Sequence, residues 1–135
     1  MATSGSVQTN HIAATSRKWY WELIWSSSYN GNIATVSWDI YARCENGTSG
    51  STWVANYGFG GHVNGTNLSF SGNFYKDAKI ASGSFTIGGG NSFSASITAH
   101  PYSGSHTSSG SWTWTMDNKV VTPTVTCSVT RGLNT

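Results

Sequence analysis

Ile80-Ala81-Ser82-Gly83-Ser84-Phe85-Thr86-Ile87-Gly88-Gly89-Gly90-Asn91-Ser92-Phe93-Ser94-Ala95-Ser96-Ile97-Thr98-Ala99 is the stretch whose reading decides the fold. Phe85 and Ile87 alternate with Ser84 and Thr86. Past the glycines, Phe93, Ala95, Ile97 and Ala99 recur at every second position with Ser92, Ser94, Ser96 and Thr98 between them. A period of two buries one face and wets the other, as an antiparallel strand on a core does. Gly88 to Asn91 can supply the positive φ angles of a tight connection, so the stretch reads as a β-hairpin.

The same grammar runs outward in both directions. Upstream, Trp19, Trp21, Leu23 and Trp25 share one parity against Tyr20, Glu22 and Ile24. Each indole brings about 150–250 Å² to a core, so this strand is expected to build one; the alternative is a stacking platform for sugar rings, which would need the rings on a solvent-facing side. Ser26 to Asn32 reads as a polar turn. Ala34, Val36, Trp38, Ile40, Ala42 and Cys44 then form the longest alternation, which predicts a central strand over Ile33 to Cys44. Trp53 to Phe59 and His62 to Phe70 read as weaker strands, with Asn64-Gly65 as a type I′ turn. Asn73 to Lys79, carrying Lys76, Asp77 and Lys79, reads as an exposed crossing.

Downstream of the hairpin, His100 to Gly110 is a polar loop and Trp112, Trp114 and Met116 re-enter a strand. Asp117-Asn118 turns the chain, and Val121, Pro123, Val125, Cys127 and Val129 line a last strand, placed at an edge because Pro123 has no amide donor. The pattern of about eight strands, with turn signals every 8–12 residues or so and no helical periodicity, predicts an all-β antiparallel sandwich, immunoglobulin-like or jelly-roll-like. Residues 1–15 are polar with Val7 as their one apolar anchor. They read as an extended N-terminal arm or edge strand, ordered against the body or a neighbouring subunit, ahead of a sandwich domain over 16–135.

Composition narrows the function classes. Only 9% of residues are charged while 13% are aromatic, and Ser, Thr, Asn and Gly make up nearly half the chain. Enough apolar surface exists to fold, and the polar remainder is hydroxyl and amide. The net charge of +2 comes from singly scattered side chains, so phosphate neutralisation on nucleic acid has little to work with. No apolar run reaches membrane-spanning length, and Met1 to Arg17 holds no apolar centre of the kind a secretory leader carries. The Asn-x-Ser/Thr sequons at Asn46, Asn64 and Asn67 are what chance yields in so Asn-, Ser- and Thr-rich a chain.

Reactive constellations are hard to assemble from this sequence. General acid–base work needs paired carboxylates or a carboxylate beside a histidine, whereas Glu22, Asp39, Glu45, Asp77 and Asp117 are each isolated. His100 and His106 share a loop, His11 and His62 lie elsewhere, and no metal-ligand spacing appears. Cys44 and Cys127 allow one disulfide at most, and both fall on the apolar parity of their strands, which predicts buried thiols. The expectation is therefore a non-enzyme without metal or cofactor that works through its surface.

Several stretches together resemble one known family. Met1-Ala2-Thr3-Ser4-Gly5-Ser6, the pair Trp19 to Trp25 and Asn30 to Trp38, the run Ala81 to Ile87 with Ser92 to Ser96, and Gly110-Ser111-Trp112-Thr113-Trp114 are similar to the N-terminal region of siphophage minor structural proteins of unknown function, known mainly from phages of Gram-positive hosts. Gly88 to Asn91 departs from the Asn-x-Asp-Gly turn usual there. The resemblance implies a virion address, a tail or fibre setting and no catalytic residues. On that footing the expected function is a virion structural protein attaching by protein–protein contacts, as a homo-oligomer, through Val7, Tyr20, Tyr29 and Tyr41. Two alternatives stand beside it: recognition of host-surface glycan, with Trp53, Tyr57, Tyr102 and Trp112 as stacking rings, and capsid decoration.

Overall fold

The computed structural model describes residues 3–116 and 125–131, and every regular element among them is a β-strand. The chain opens with β1 (Thr3–Gln8), β2 (Ile12–Ala14) and the long β3 (Arg17–Asn30), followed by β4 (Ile33–Cys44). Next come the two-residue strands β5 (Trp53–Val54), β7 (Thr66–Asn67) and β8 (Phe74–Tyr75), with the longer β6 (Asn56–Val63) between the first two. The last four are β9 (Lys79–Gly88), β10 (Ser92–Pro101), β11 (Ser108–Met116) and β12 (Val125–Arg131). One five-stranded sheet runs β1-β3-β4-β9 with β2 also on β3, a second runs β12-β11-β10-β6-β7, and β5 pairs with β8 in a two-stranded ribbon. All pairings are antiparallel, and the two large sheets make the expected sandwich.

The stretch that decides the fold pairs differently from its reading. Its alternation holds, but β9 bonds to β4 in one sheet and β10 bonds to β6 and β11 in the other. It is an arch that steps between the sheets, so Phe85 and Phe93 meet across the core edge to face, with centroids 4.8 Å apart. The connection is pinned to both layers: Gly89 N donates to Asn32 O, Gly90 N to Met116 O, and Met116 N to Asn91 O. A hairpin and an arch share the same period of two, and only the partners of the outer edges distinguish them. The Asn64-Gly65 turn does form as read, with φ of 47° and 80°.

Parity governs the interior. Trp19, Trp21, Leu23 and Trp25 are buried on the inner face of β3, as are Ala34, Val36, Trp38, Ile40, Ala42 and Cys44 on β4. Ser26 to Asn30 continue β3 as a strand where a turn was expected, because each finds a partner on β4 down to Asn30↔Ile33. From the facing sheet come Phe93, Ala95, Ile97, Trp112, Trp114 and Met116. Trp114 stacks on Phe93 at 4.9 Å and meets Trp25 edge-on at 6.3 Å, joining the layers. The indole N–H groups of Trp19, Trp21, Trp112 and Trp114 meet no acceptor among the described residues. Each costs about 1–3 kcal/mol unpaired, while burying a ring of about 200 Å² returns about 5 kcal/mol. Packing therefore wins.

Tryptophans sit over glycines. Gly5↔Trp25, Trp25↔Trp38 and Trp38↔Gly83 form one row across four strands. A Cβ at Gly83 would stand 2.6 Å from Cζ2 of Trp38, so the indole occupies the volume a side chain would have taken.

The N-terminal segment is an edge strand ordered against the body, one of the settings its sequence allows. β1 pairs with β3 from Thr3↔Ser27 to Gln8↔Glu22, and Val7 lies buried at 6% exposure opposite Leu23. Thr9, fully buried, then ties the two sheets together. Its N–H donates to Trp21 O, its Oγ1 accepts from Trp21 N at 2.8 Å, and the same hydroxyl bonds Ser108 Oγ at 2.7 Å. Ser108 Oγ donates to Asn10 O, and Asn10 Oδ1 accepts from Ser109 N. Residues 3–14 thus belong to the body, sealing one side of the sandwich where β1 approaches β12.

Candidate recognition surface

Of the seven tryptophans, six are buried and Trp53 stands 55% exposed. The ribbon that carries it explains the exception. Trp53 pairs with Tyr75 and Val54 with Phe74, so two residues on each strand suffice to sort one face inward and one outward. Phe74 is fully buried and anchors the ribbon: it meets Trp21 edge-on at 4.8 Å and stacks on Phe70 at 5.8 Å. On the opposite face Trp53 and Tyr75 lie side by side, centroids 6.4 Å apart and planes tilted 35°. Hydrogen bonds from Lys76 N to Thr52 O and from Gly50 N to Lys76 O extend the ribbon's bonding, and Lys76 Nζ is turned back onto Gly47 O.

Two further rings crown the same end of the sandwich. Tyr102 takes a left-handed φ of 76°, donates its N–H to Ala55 O at 2.8 Å and sets its ring edge-on to His106 at 5.4 Å. That loop is closed from within: His100 Nδ1 bonds His106 O, and Ser103 Oγ bonds His106 Nδ1. Tyr57, at 63% exposure, is the most exposed aromatic and directly precedes Gly58. Gly58 has φ 154°, and a Cβ there would come within 2.8 Å of the His100 ring, so the backbone must stay bare for the loop to seat. Of the rings expected to stack on glycan, Trp53, Tyr57 and Tyr102 are exposed. Tyr75, unremarked in the sequence because it falls in an apparent crossing, joins them. Trp112 does not: it is buried at 2% exposure, with its ring over Gly110.

Each residue expected to make attachment contacts has a neighbour within the domain, though the three tyrosines stay half-exposed. Val7 is core. Tyr20 lies flat on His11, centroids 3.8 Å apart, and burial pushes its phenol above the ordinary value, helped by Glu22. Tyr41 lies under the Arg43 guanidinium at 4.5 Å, and Tyr29 is half-buried against the core.

Charges gather on the outer face of the first sheet. Arg43 donates from Nε to Glu22 and from Nη1 to Asp77, both at 2.9 Å. Bonds from Ser49 and then Arg43 hold the Asp77 carboxyl below its ordinary value. His11 Nδ1 donates to Glu45 at 2.5 Å, which lowers that carboxyl likewise. Glu22 and Asp77 thus share the Arg43 guanidinium, while Glu45 bonds the His11 ring. Among the described residues no group of three or more His, Cys, Asp and Glu side chains could hold a metal ion. Cys44 is a buried free thiol, as its parity implied, while the Cys127 side chain, Pro123 and the Asp117-Asn118 turn lie outside the described residues.

The sequence matches no protein-family model, and no curated protein or solved structure is significantly similar to it.

Proposed function

We propose that this protein is a non-enzymatic recognition domain that holds glycan against the aromatic end of its sandwich, and that it does so as part of a phage virion. One observation carries the first half: Trp53 alone of the seven tryptophans is left in solvent, beside Tyr75 on a ribbon fixed from beneath by Phe74. Leaving so large a ring in water forgoes several kcal/mol of burial, a sacrifice expected where the ring serves a partner. A pyranose offers an apolar C–H face to a flat ring and hydroxyls around its rim. Asn73, Ser71 and Ser103 lie near these rings in the chain, and no carboxylate sits on the ribbon, which suits a neutral sugar. The virion setting rests on the sequence resemblance, which also supports a tail or fibre address over capsid decoration.

The architecture makes the test selective. Since six indoles are buried, ligand-induced change in tryptophan emission reports Trp53 almost alone. Titration with purified cell-wall polysaccharides from Gram-positive bacteria is expected to shift and quench that emission. Trp53→Ala, Tyr75→Ala and Tyr102→Ala should each weaken retention on the same polysaccharide at least tenfold, while Tyr41→Ala should not. Emission unmoved across the panel, or retention untouched by all three substitutions, overturns the glycan reading.

A further inference from the structure

We propose that β9 is a pairing edge for a second copy of this chain, joining two sandwiches into one continuous sheet. This does not rest on the glycan reading, since the aromatic end and β9 are different surfaces. β9 terminates its sheet with ten residues, and among the described residues nothing bonds to its outer side. An exposed edge is usually blunted by proline, inward charge, a bulge in mid-strand or brevity. β9 has no proline, its one charge, Lys79, stands at its first position and reaches Asp39 at 3.5 Å, and its register is unbroken from Ala81 to Gly88.

Its sequence also fits itself. Placed antiparallel about a twofold axis through Gly83, Ser82 of one copy faces Ser84 of the other on the outer side, and Ala81 faces Phe85 on the inner side. Small then meets large in both directions, and hydroxyl meets hydroxyl. The outer row Ser4↔Ser26↔Ser37↔Ser84 would run on into the row that ends at Ser82 of the second copy. Room for the incoming Phe85 exists. Beside β9, between it and the edge of the facing sheet, lies an open groove of about 330 Å³ floored by Trp38, Val63, Leu68 and Ile80. The groove, walled also by Asn64, Thr66, Asn67 and Ser69, is thus continuous with the unpaired edge, and a strand laid along that edge covers both. A second copy brings that strand in a register fixed by symmetry. The contact is one strand wide, so it falls in the small, concentration-dependent class of interfaces.

Sedimentation velocity on the full chain from low micromolar to near-millimolar concentration tests this directly. The native protein is expected to pass from monomer to dimer over that range. The double variant Ser82→Lys with Ser84→Lys, both on the exposed face, sets like charges opposite one another across the axis and should weaken dimerisation at least tenfold with unchanged circular dichroism. Ser82→Glu with Ser84→Glu should do the same. Mixing the two variants should restore dimers as lysine–glutamate heterodimers. A native protein that stays monomeric throughout, a lysine variant that associates like the native chain, or a mixture that fails to recover dimers overturns the proposal.

Discussion

Replacing Phe74 by Ala tests at once how the aromatic end is held and whether a two-residue strand can sort its faces. The ring is fully buried and touches Trp21, Phe59 and Phe70. Removing some 150 Å² of buried apolar surface forfeits about 4 kcal/mol, within the range of about 3–5 kcal/mol seen for Phe→Ala in cores. For a domain of this size each kcal/mol moves the melting midpoint by about 3–5 °C. Phe74→Ala should therefore melt about 12–20 °C earlier, followed by near-ultraviolet circular dichroism and calorimetry. Phe74→Leu, which keeps most of the volume, should cost under about 1.5 kcal/mol. The adjacent Tyr75→Ala, on the solvent face, should stay within about 0.5–1 kcal/mol of the native protein. If Phe74→Ala costs less than about 1 kcal/mol, or Tyr75→Ala costs as much, the ribbon is not seated as described and the exposure of Trp53 loses its explanation.

Thr9→Val keeps the shape but removes the hydroxyl shared by Trp21 N and Ser108 Oγ, and should cost about 1–3 kcal/mol in urea unfolding. Deletion of residues 1–14 should abolish the cooperative transition altogether, since it strips β1, β2 and Thr9 from the sandwich; a truncated chain that melts like the native one would contradict the pairing. Gly110→Ala would drive a methyl into the Trp112 ring and should destabilise by about 1–3 kcal/mol, where the same change at open Gly104 should be nearly neutral. Acid should also weaken the fold. The Glu45 and Asp77 carboxyls hold their protons less tightly folded than unfolded, so each contributes stability above its unfolded value near pH 4, and that contribution disappears as pH falls through the lower folded value. Melting midpoints between about pH 5 and 2 should fall less steeply in the Glu45→Gln, Asp77→Asn double variant.

Much of this architecture can be read from the chain because the long strands β3, β4, β10 and β11 obey a period of two. β4 matches the alternation from Ile33 to Cys44 residue for residue, and six of seven tryptophans fall where parity puts them. Trp112 as a stacking ring contradicts that same rule, for it shares its face with Trp114 and Met116. What alternation does not carry is partnership. Phe85 and Phe93 look alike whether their strands bond to each other or face each other across a core, so the arch reads as a hairpin. Val7 reads as an anchor, but its partner does not follow from local sequence, and Thr9 gives no signal at all, because Leu23, Trp21 and Ser108, which bury this segment, lie further along the chain. Tyr75 escaped because a strand of two residues has no period to detect.

The hydroxyl bridge between Thr9 and Ser108 spans 99 positions of sequence. During synthesis β3 and β4 can zip together as soon as they emerge, presenting Trp19, Trp21, Trp25 and Trp38 to water with no opposing layer yet made. The bridge must wait until Ser108, 99 positions after Thr9, has left the ribosome. Such late, long-range closure folds slowly and leaves sticky intermediates, so recombinant yield should depend on translation speed and chaperone supply more than on the stability of the finished fold.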